Sequence, residues 1–265
     1  GTLSGNDYQF TQDAASLHQF AVVHDGNANT PEYVSKVDNQ NLHGTAQVDY
    51  IIITAPEFLS AANTLADFHR QNSKLSVLVT TPQQIYNEFS SGGQDISAIR
   101  DFVKMFYDRA GSSVADMPKY LLLLGDASYD YKNRIANNTN FVPTFESLQS
   151  FDRIASYSGD DFYGFLDDNE DIENTNIANT LDVGMGRFPV KTLQEANAMV
   201  NKIKAYKSAE SLGPWRISTT LVTDNEDLAG PHLEDGEVMD TTISFRSQLY
   251  NSSKIYLDAI PFVST

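Results

Sequence analysis

Three short runs carry apolar side chains at nearly every position: Tyr50–Thr54, residues 75–79 and Tyr120–Leu124. A strand with one wet face alternates apolar and polar residues, whereas a continuous run suits a strand covered on both faces. Strands of that kind belong to parallel sheets, and parallel neighbours need a crossover, usually a helix. The intervening segments supply it. Pro56 suits a first helical turn, and Phe58, Leu59, Ala62, Leu65 and Phe68 share one helical face. Thr81-Pro82-Gln83-Gln84 combines a capping box with Pro at the first helical position. Asp95 is placed to cap a third helix, striped by Ile96, Ile99, Phe102, Val103 and Phe106. Thr192-Leu193-Gln194-Glu195 opens a fourth, whose buried face is Ala196, Met199, Val200, Ile203 and Tyr206. The alternation predicts an α/β fold: a mostly parallel sheet with right-handed crossovers and helices on both faces.

The pattern also divides the chain. Residues 1–46 are rich in Asn, Gln, Asp and Gly without helical periodicity, and read as a short β-rich arm or the end of an upstream domain. Within them, residues 20–23 suggest a strand closed by Asp25-Gly26-Asn27. Residues 47–212 form a first α/β subdomain, and Gly213-Pro214 marks the boundary to a second at 213–265. That second part offers a strand at 217–222, a helix at 237–249 and a strand at 255–257, too little to close a core. With no initiator Met and no signal peptide at Gly1-Thr2-Leu3-Ser4, the chain reads as cut from something longer. No run reaches the roughly 18 apolar residues of a membrane helix. The polar stretch 126–180 is long for a loop in a compact domain, a length that usually signals function or disorder. Residues 162–166 and 181–185 are expected to pair as an antiparallel edge around Asp167–Asn179.

The chemistry is narrowed by what is missing. The 18 Lys and Arg against 35 Asp and Glu leave a net charge of −17, which repels phosphate backbones and argues against nucleic acid. The same charge suits calcium, which takes clustered oxygen ligands. Asp126, Asp160, Asp161, Asp167, Asn169 and Asp171 are the candidate ligands, the last three spaced like the start of a calcium loop but without the Gly and Glu of an EF-hand. There is no Cys, which excludes disulfides, thiolate metal sites and a thiol nucleophile within these residues. None of His18, His24, His43, His69 and His232 stands at a metal-ligand spacing, and neither a nucleophile-elbow Ser nor a phosphate-binding Gly loop is present. Ligands in open α/β sheets bind beyond the strands' carboxyl ends. There the pattern places Asp126, then Asp224 and Glu226, then Asp258.

Several segments carry a resemblance. Asp49-Tyr50-Ile51-Ile52-Ile53-Thr54-Ala55-Pro56, Ile85-Tyr86-Asn87-Glu88-Phe89-Ser90-Ser91-Gly92, Leu123-Leu124-Gly125-Asp126, Ser158-Gly159-Asp160-Asp161-Phe162-Tyr163-Gly164 and Gly186-Arg187-Phe188-Pro189-Val190 follow in the order and spacing of the gingipain (C25) cysteine peptidases. Over roughly residues 40–260 the chain is similar to that family, closer to its type IX secretion sortases of Bacteroidetes than to the secreted gingipains. The resemblance implies a caspase-like α/β fold with two subdomains and acyl transfer by a Cys thiolate with a His proton carrier. It also implies that both residues follow Thr265, so that this chain alone is inactive. Glu226 matches the family's acidic position beside that His, with Asp224 one register away. Further implications are cargo proteins with C-terminal sorting domains as substrates, other secretion components as partners, and a cell-surface location. A non-catalytic, calcium-dependent surface-binding module on the same fold is the second reading.

Overall fold

The computed structural model describes all residues except 1, 6, 14, 16, 17, 21–25, 27–29, 34, 35, 150, 175, 225–229, 247, 248 and 260–265, together with the side chains of 3, 4, 8 and 258. The chain divides into two compact units, Gly1–Gln40 and Asn41–Thr265. In the first, β1 (Thr2–Ser4) and β2 (Asp7–Gln9) form an antiparallel hairpin. The strand expected at 20–23 falls largely outside the described residues. Residues 41–46, read from composition as part of the arm, belong to the second unit. Leu42 is buried there, and its N–H donates to the Glu88 carboxylate at 2.6 Å.

The second unit is built on a four-stranded parallel sheet, ordered β4-β3-β5-β8. Its strands are β3 (Tyr50–Thr54), β4 (Val77–Thr80), β5 (Tyr120–Leu124) and β8 (Gly184–Phe188), while β6 (Phe145–Glu146) and β7 (Ser158–Gly159) make a small antiparallel ribbon aside from it. Successive side chains of the central strands enter opposite cores, as the pleat requires. Ile51, Ile53, Leu121 and Leu123 face α2 (Pro82–Phe89) and α3 (Ile96–Ala110), whereas Ile52, Leu122 and Leu124 face α1 (Leu59–Asn72) and α4 (Leu193–Lys207). Each fully buried Ile, Leu or Phe contributes on the order of 2 kcal/mol. The strand order reverses at β3, which places a topological switch between the carboxyl ends of β3 and β5.

The local signals for helix starts hold. Thr81 and Gln84 form the reciprocal capping box, Asp95 accepts from the Ser97 N–H, and Thr192 accepts from the Glu195 N–H. Two expectations change. Residues 160–163 form a 3₁₀ turn, and Gly184–Phe188 pairs parallel with β5, so the expected antiparallel edge is absent. The Asp182 N–H donates to the Gly164 carbonyl and the Leu166 N–H to the Asp182 carboxylate, and these bonds join the segments instead. The first helix also buries Ala61, Ala62, Leu65 and Ala66, a stripe rotated from the expected one, because its small residues let it lie close to the sheet.

Past Pro214 the chain forms a separate parallel pair, β9 (Ser218–Thr223) and β10 (Asn251–Tyr256), joined by α5 (His232–Arg246). This helix starts five positions before the sequence suggests, because Gly236 lies inside it instead of ending the loop before it. A Cβ at Gly236 would meet Thr223 Cγ2 at 2.6 Å, so the residue is there for close helix–strand contact. Its flank is held by ions more than by apolar contact. The Lys254 ammonium reaches Glu237 and Asp240, both at 2.8 Å.

Asp49 ties together the starts of β3, β4 and β5. Its carbonyl accepts the Lys119 and Tyr120 N–H groups, its N–H donates to the Ser76 carbonyl, and its carboxylate takes the Ser76 N–H, the Ser76 hydroxyl and the Lys119 ammonium. The Lys119 contact foremost, then Ser76, lowers its pKa from the usual 3.8 to about 2. A depressed folded pKa stabilises the fold above the unfolded value, and that stabilisation is lost as pH falls from 3.8 towards about 2. Asp49→Asn should therefore be less stable than the wild type at pH about 7, with the gap closing below pH about 2. Urea midpoints at the two pH values measure this; an unchanged gap refutes it.

Candidate functional site

The carboxyl edge of β5 and β8 is where the long loop gathers. Gly125 ends β5 at φ +145°, a region open to glycine, and a Cβ there would come within 2.8 Å of the Phe141 Cβ. Its tight turn lets the Gly125 and Asp126 N–H groups reach the Phe188 and Val190 carbonyls, while the Asp126 carbonyl accepts the Phe141 N–H. One side chain then gathers the loop. Arg187, next to last in β8, donates Nε and Nη2 to the two Asp160 oxygens at 2.7 Å each. Its Nη1 reaches the Gly125 and Val142 carbonyls at 2.8 Å, and Nη2 the Pro143 carbonyl at 3.2 Å. That engages every donor of the guanidinium fork. Thr144 Oγ1 also donates to Asp160, and the buried Tyr163 hydroxyl donates to Pro143 O at 2.7 Å. Burial pushes the Tyr163 phenol far up, so it stays a neutral donor.

The clamp leaves a half-open cleft of about 1030 Å³. Asp126, Asp160, Arg134 and Glu146 supply its charge and Tyr129 and Tyr157 much of its aromatic wall. Among the described residues that line it there is no His, Cys or Lys, and the polar groups are carboxylates, guanidinium groups and Ser, Thr and Tyr hydroxyls.

The candidate metal ligands do not converge on one point. Asp160 is committed to Arg187, and Asp126 to Thr139 at 2.6 Å and Lys191 at 3.3 Å. Asp161 is exposed on the same turn, Asn169 is exposed, and Asp171 caps its own loop by accepting the Glu173 N–H. Asp167 instead joins Glu170 and Asp182, their ligand oxygens within 4.8 Å of one another. Burial, ahead of the neighbouring carboxylates, raises the Asp182 pKa. Asp182 escapes a local reading because the chain brings it back only after the loop closes. Beyond β9, Asp224 is exposed; Glu226 lies outside the described residues. Arg187 stands in a quoted motif, yet nothing local reveals its partners.

The chain matches the model of peptidase family C25 over residues 43–265. Its structure is similar to that of dimeric latent PorU from Porphyromonas gingivalis, with a TM-score of 0.63 and 31% identity over 80% of this chain and 22% of that one. It is also similar to the Arg-specific cysteine proteinase gingipain R (RgpB), with a TM-score of 0.54 and 15% identity over 82% of this chain and 43% of that one. The second likeness is one of fold alone. The chain thus spans about a fifth of the first relative's length and less than half of the second's. No curated protein matches it.

Proposed function

The chain belongs to peptidase family C25, and from that premise we propose that it is the substrate-facing front part of a cysteine peptidase of sortase type. One observation carries the reading: the family match spans the same fold whose carboxyl edge opens into a preformed cleft. That cleft is large enough for a stretch of polypeptide. The thiolate comes from outside these 265 residues, since there is no Cys among them, and the family resemblance puts the imidazole outside them as well. What this chain supplies is binding surface, positioning by the Arg187 clamp, and a carboxylate beside β9. Glu226, with Asp224 as the alternative, orients the imidazole and stabilises its protonated form by a charge-assisted hydrogen bond. The substrates are secreted cargo proteins with C-terminal sorting domains, processed at the cell surface with other type IX secretion components. The likeness to PorU supports this part of the proposal.

The test is turnover of a peptide spanning a sorting-domain junction. The full-length parent should cleave it and lose activity with a thiol-alkylating reagent, while this chain alone should not cleave it. Glu226→Gln in the parent should lower turnover by about 10²–10⁴ with the fold intact. Normal turnover in Glu226→Gln beside a large loss in Asp224→Asn moves the role to Asp224. Absence of thiol-dependent cleavage favours the non-catalytic surface module.

A calcium site is a second proposal, favoured by the convergence of Asp167, Glu170 and Asp182. Hard cations take such oxygens and relieve the repulsion that holds carboxylates apart. Millimolar calcium should raise the melting temperature of this chain, and Asp182→Asn should abolish most of the rise. Identical melting with and without calcium removes the proposal.

A further inference from the structure

Gly186 has no reason within this fold to be glycine. It stands in the middle of β8, outside the left-handed region, and a Cβ added there would meet nothing within 4 Å. A glycine inside a strand costs about 0.5–1 kcal/mol relative to Ala. One that spares no clash marks a place where a ligand or another backbone comes close. Gly184 lies on the same side of the strand, against the Tyr120 ring, and Phe188 on that side packs with α1 and α4. The gap opens into a cavity of about 660 Å³ at the amino end of the sheet, which shares no lining residue with the cleft. Tyr50, Tyr120 and Leu122 of the neighbouring strands, with Phe188 and with Ile203 of α4, give it apolar walls.

The charged side chains among its described lining residues are basic, in a chain with 35 Asp and Glu against 18 Lys and Arg. Lys207, the last residue of α4, has no hydrogen-bond or ionic partner among the described residues. His69, in the last turn of α1, is half-buried. Its Nδ1 lies 3.1 Å from the Ser73 hydroxyl and its ring stands edge-on to Tyr50, which leaves Nε2 for a ligand. Burial first, then Lys207, lowers the His69 pKa, so two basic groups without a counter-charge face one apolar space. One fixed positive charge and one imidazole match a single negative charge, and the walls match an apolar body. From Gly184 to Phe188 the strand runs about 13 Å, which sets the length of chain it can seat.

We propose that this cavity binds a medium-chain monocarboxylic acid, its acyl chain along Gly184 and Gly186 and its carboxylate between Lys207 and His69. The site is independent of what the cleft binds.

Calorimetric titration of this chain with octanoate, and with octanol as the uncharged counterpart, tests it. Octanoate should bind saturably and at least about tenfold more tightly than octanol, the effect of one charge-assisted contact. Gly186→Val should abolish binding without lowering the melting temperature, because the added side chain enters open space and suits a strand. Lys207→Met should remove the preference for the acid. Lys204→Met, exposed on the same turn of α4 but outside the cavity, should keep it. Bound octanoate should also raise the His69 pKa, read from its imidazole proton signals, since a neighbouring carboxylate favours the protonated ring. Undiminished binding in Gly186→Val, preference kept in Lys207→Met, or a His69 titration unmoved at saturation each overturns the assignment. Equal affinity for octanol makes the cavity an apolar one and overturns the acid. Binding of neither ligand overturns the site, and self-association lost in Gly186→Val then gives the gap to a second copy of this chain.

Discussion

The edge of this sheet depends on one guanidinium. Among the described residues, Arg187 touches the end of β5, the loop at Val142 and Pro143, and Asp160 after the β6–β7 ribbon together. Its side chain is 12% exposed and that of Asp160 25%, so the pair is neither a surface bridge nor a dry one. Surface bridges contribute about 0–1 kcal/mol, whereas breaking a buried pair costs about 3–5 kcal/mol. With the Gly125 and Val142 carbonyls also losing their Arg187 donor, loss of Arg187 belongs near the higher figure, on the order of 3 kcal/mol. Lys could not replace it, because an ammonium cannot span five directions at once. A long polar loop with few apolar anchors is thereby held as a wall.

How far the sequence discloses this depends on the range of each interaction. β3 and β5 are legible to the residue because a doubly buried strand must be apolar throughout. The caps at Thr81, Asp95 and Thr192 are legible because their bonds close within three residues. The start of α5 escapes a local reading because the reason for Gly236, contact with Thr223, is tertiary. The metal candidates scatter for a like cause. Spacing groups Asp167, Asn169 and Asp171, whereas folding groups Asp167 with Glu170 and the distant Asp182. Glu146 carries no local signal at all. It is one acid in a polar stretch until a two-residue ribbon turns it inward.

The two strand systems of the second unit differ in what holds them. The four-stranded sheet is sealed on both faces by apolar helices. The β9–α5–β10 element leaves Val222, Phe245 and Ile255 largely exposed and relies on Lys254 with Glu237 and Asp240. Exposed ion pairs weaken with salt and contribute little singly, so this element belongs to the low-stability end of the molecule. The cleft lies at the carboxyl edge of the four-stranded sheet.

The most direct measurement is amide hydrogen exchange in the wild type and in Arg187→Lys. If Arg187 builds the wall, the Gly125, Asp126, Phe141 and Ser147 amides are protected in the wild type with β5. In Arg187→Lys they should exchange roughly a hundredfold faster, the equivalent of about 3 kcal/mol, while the Phe102 and Phe106 amides of α3 stay slow. Fast exchange of the loop amides in the wild type, or protection unchanged by Arg187→Lys, would contradict the account.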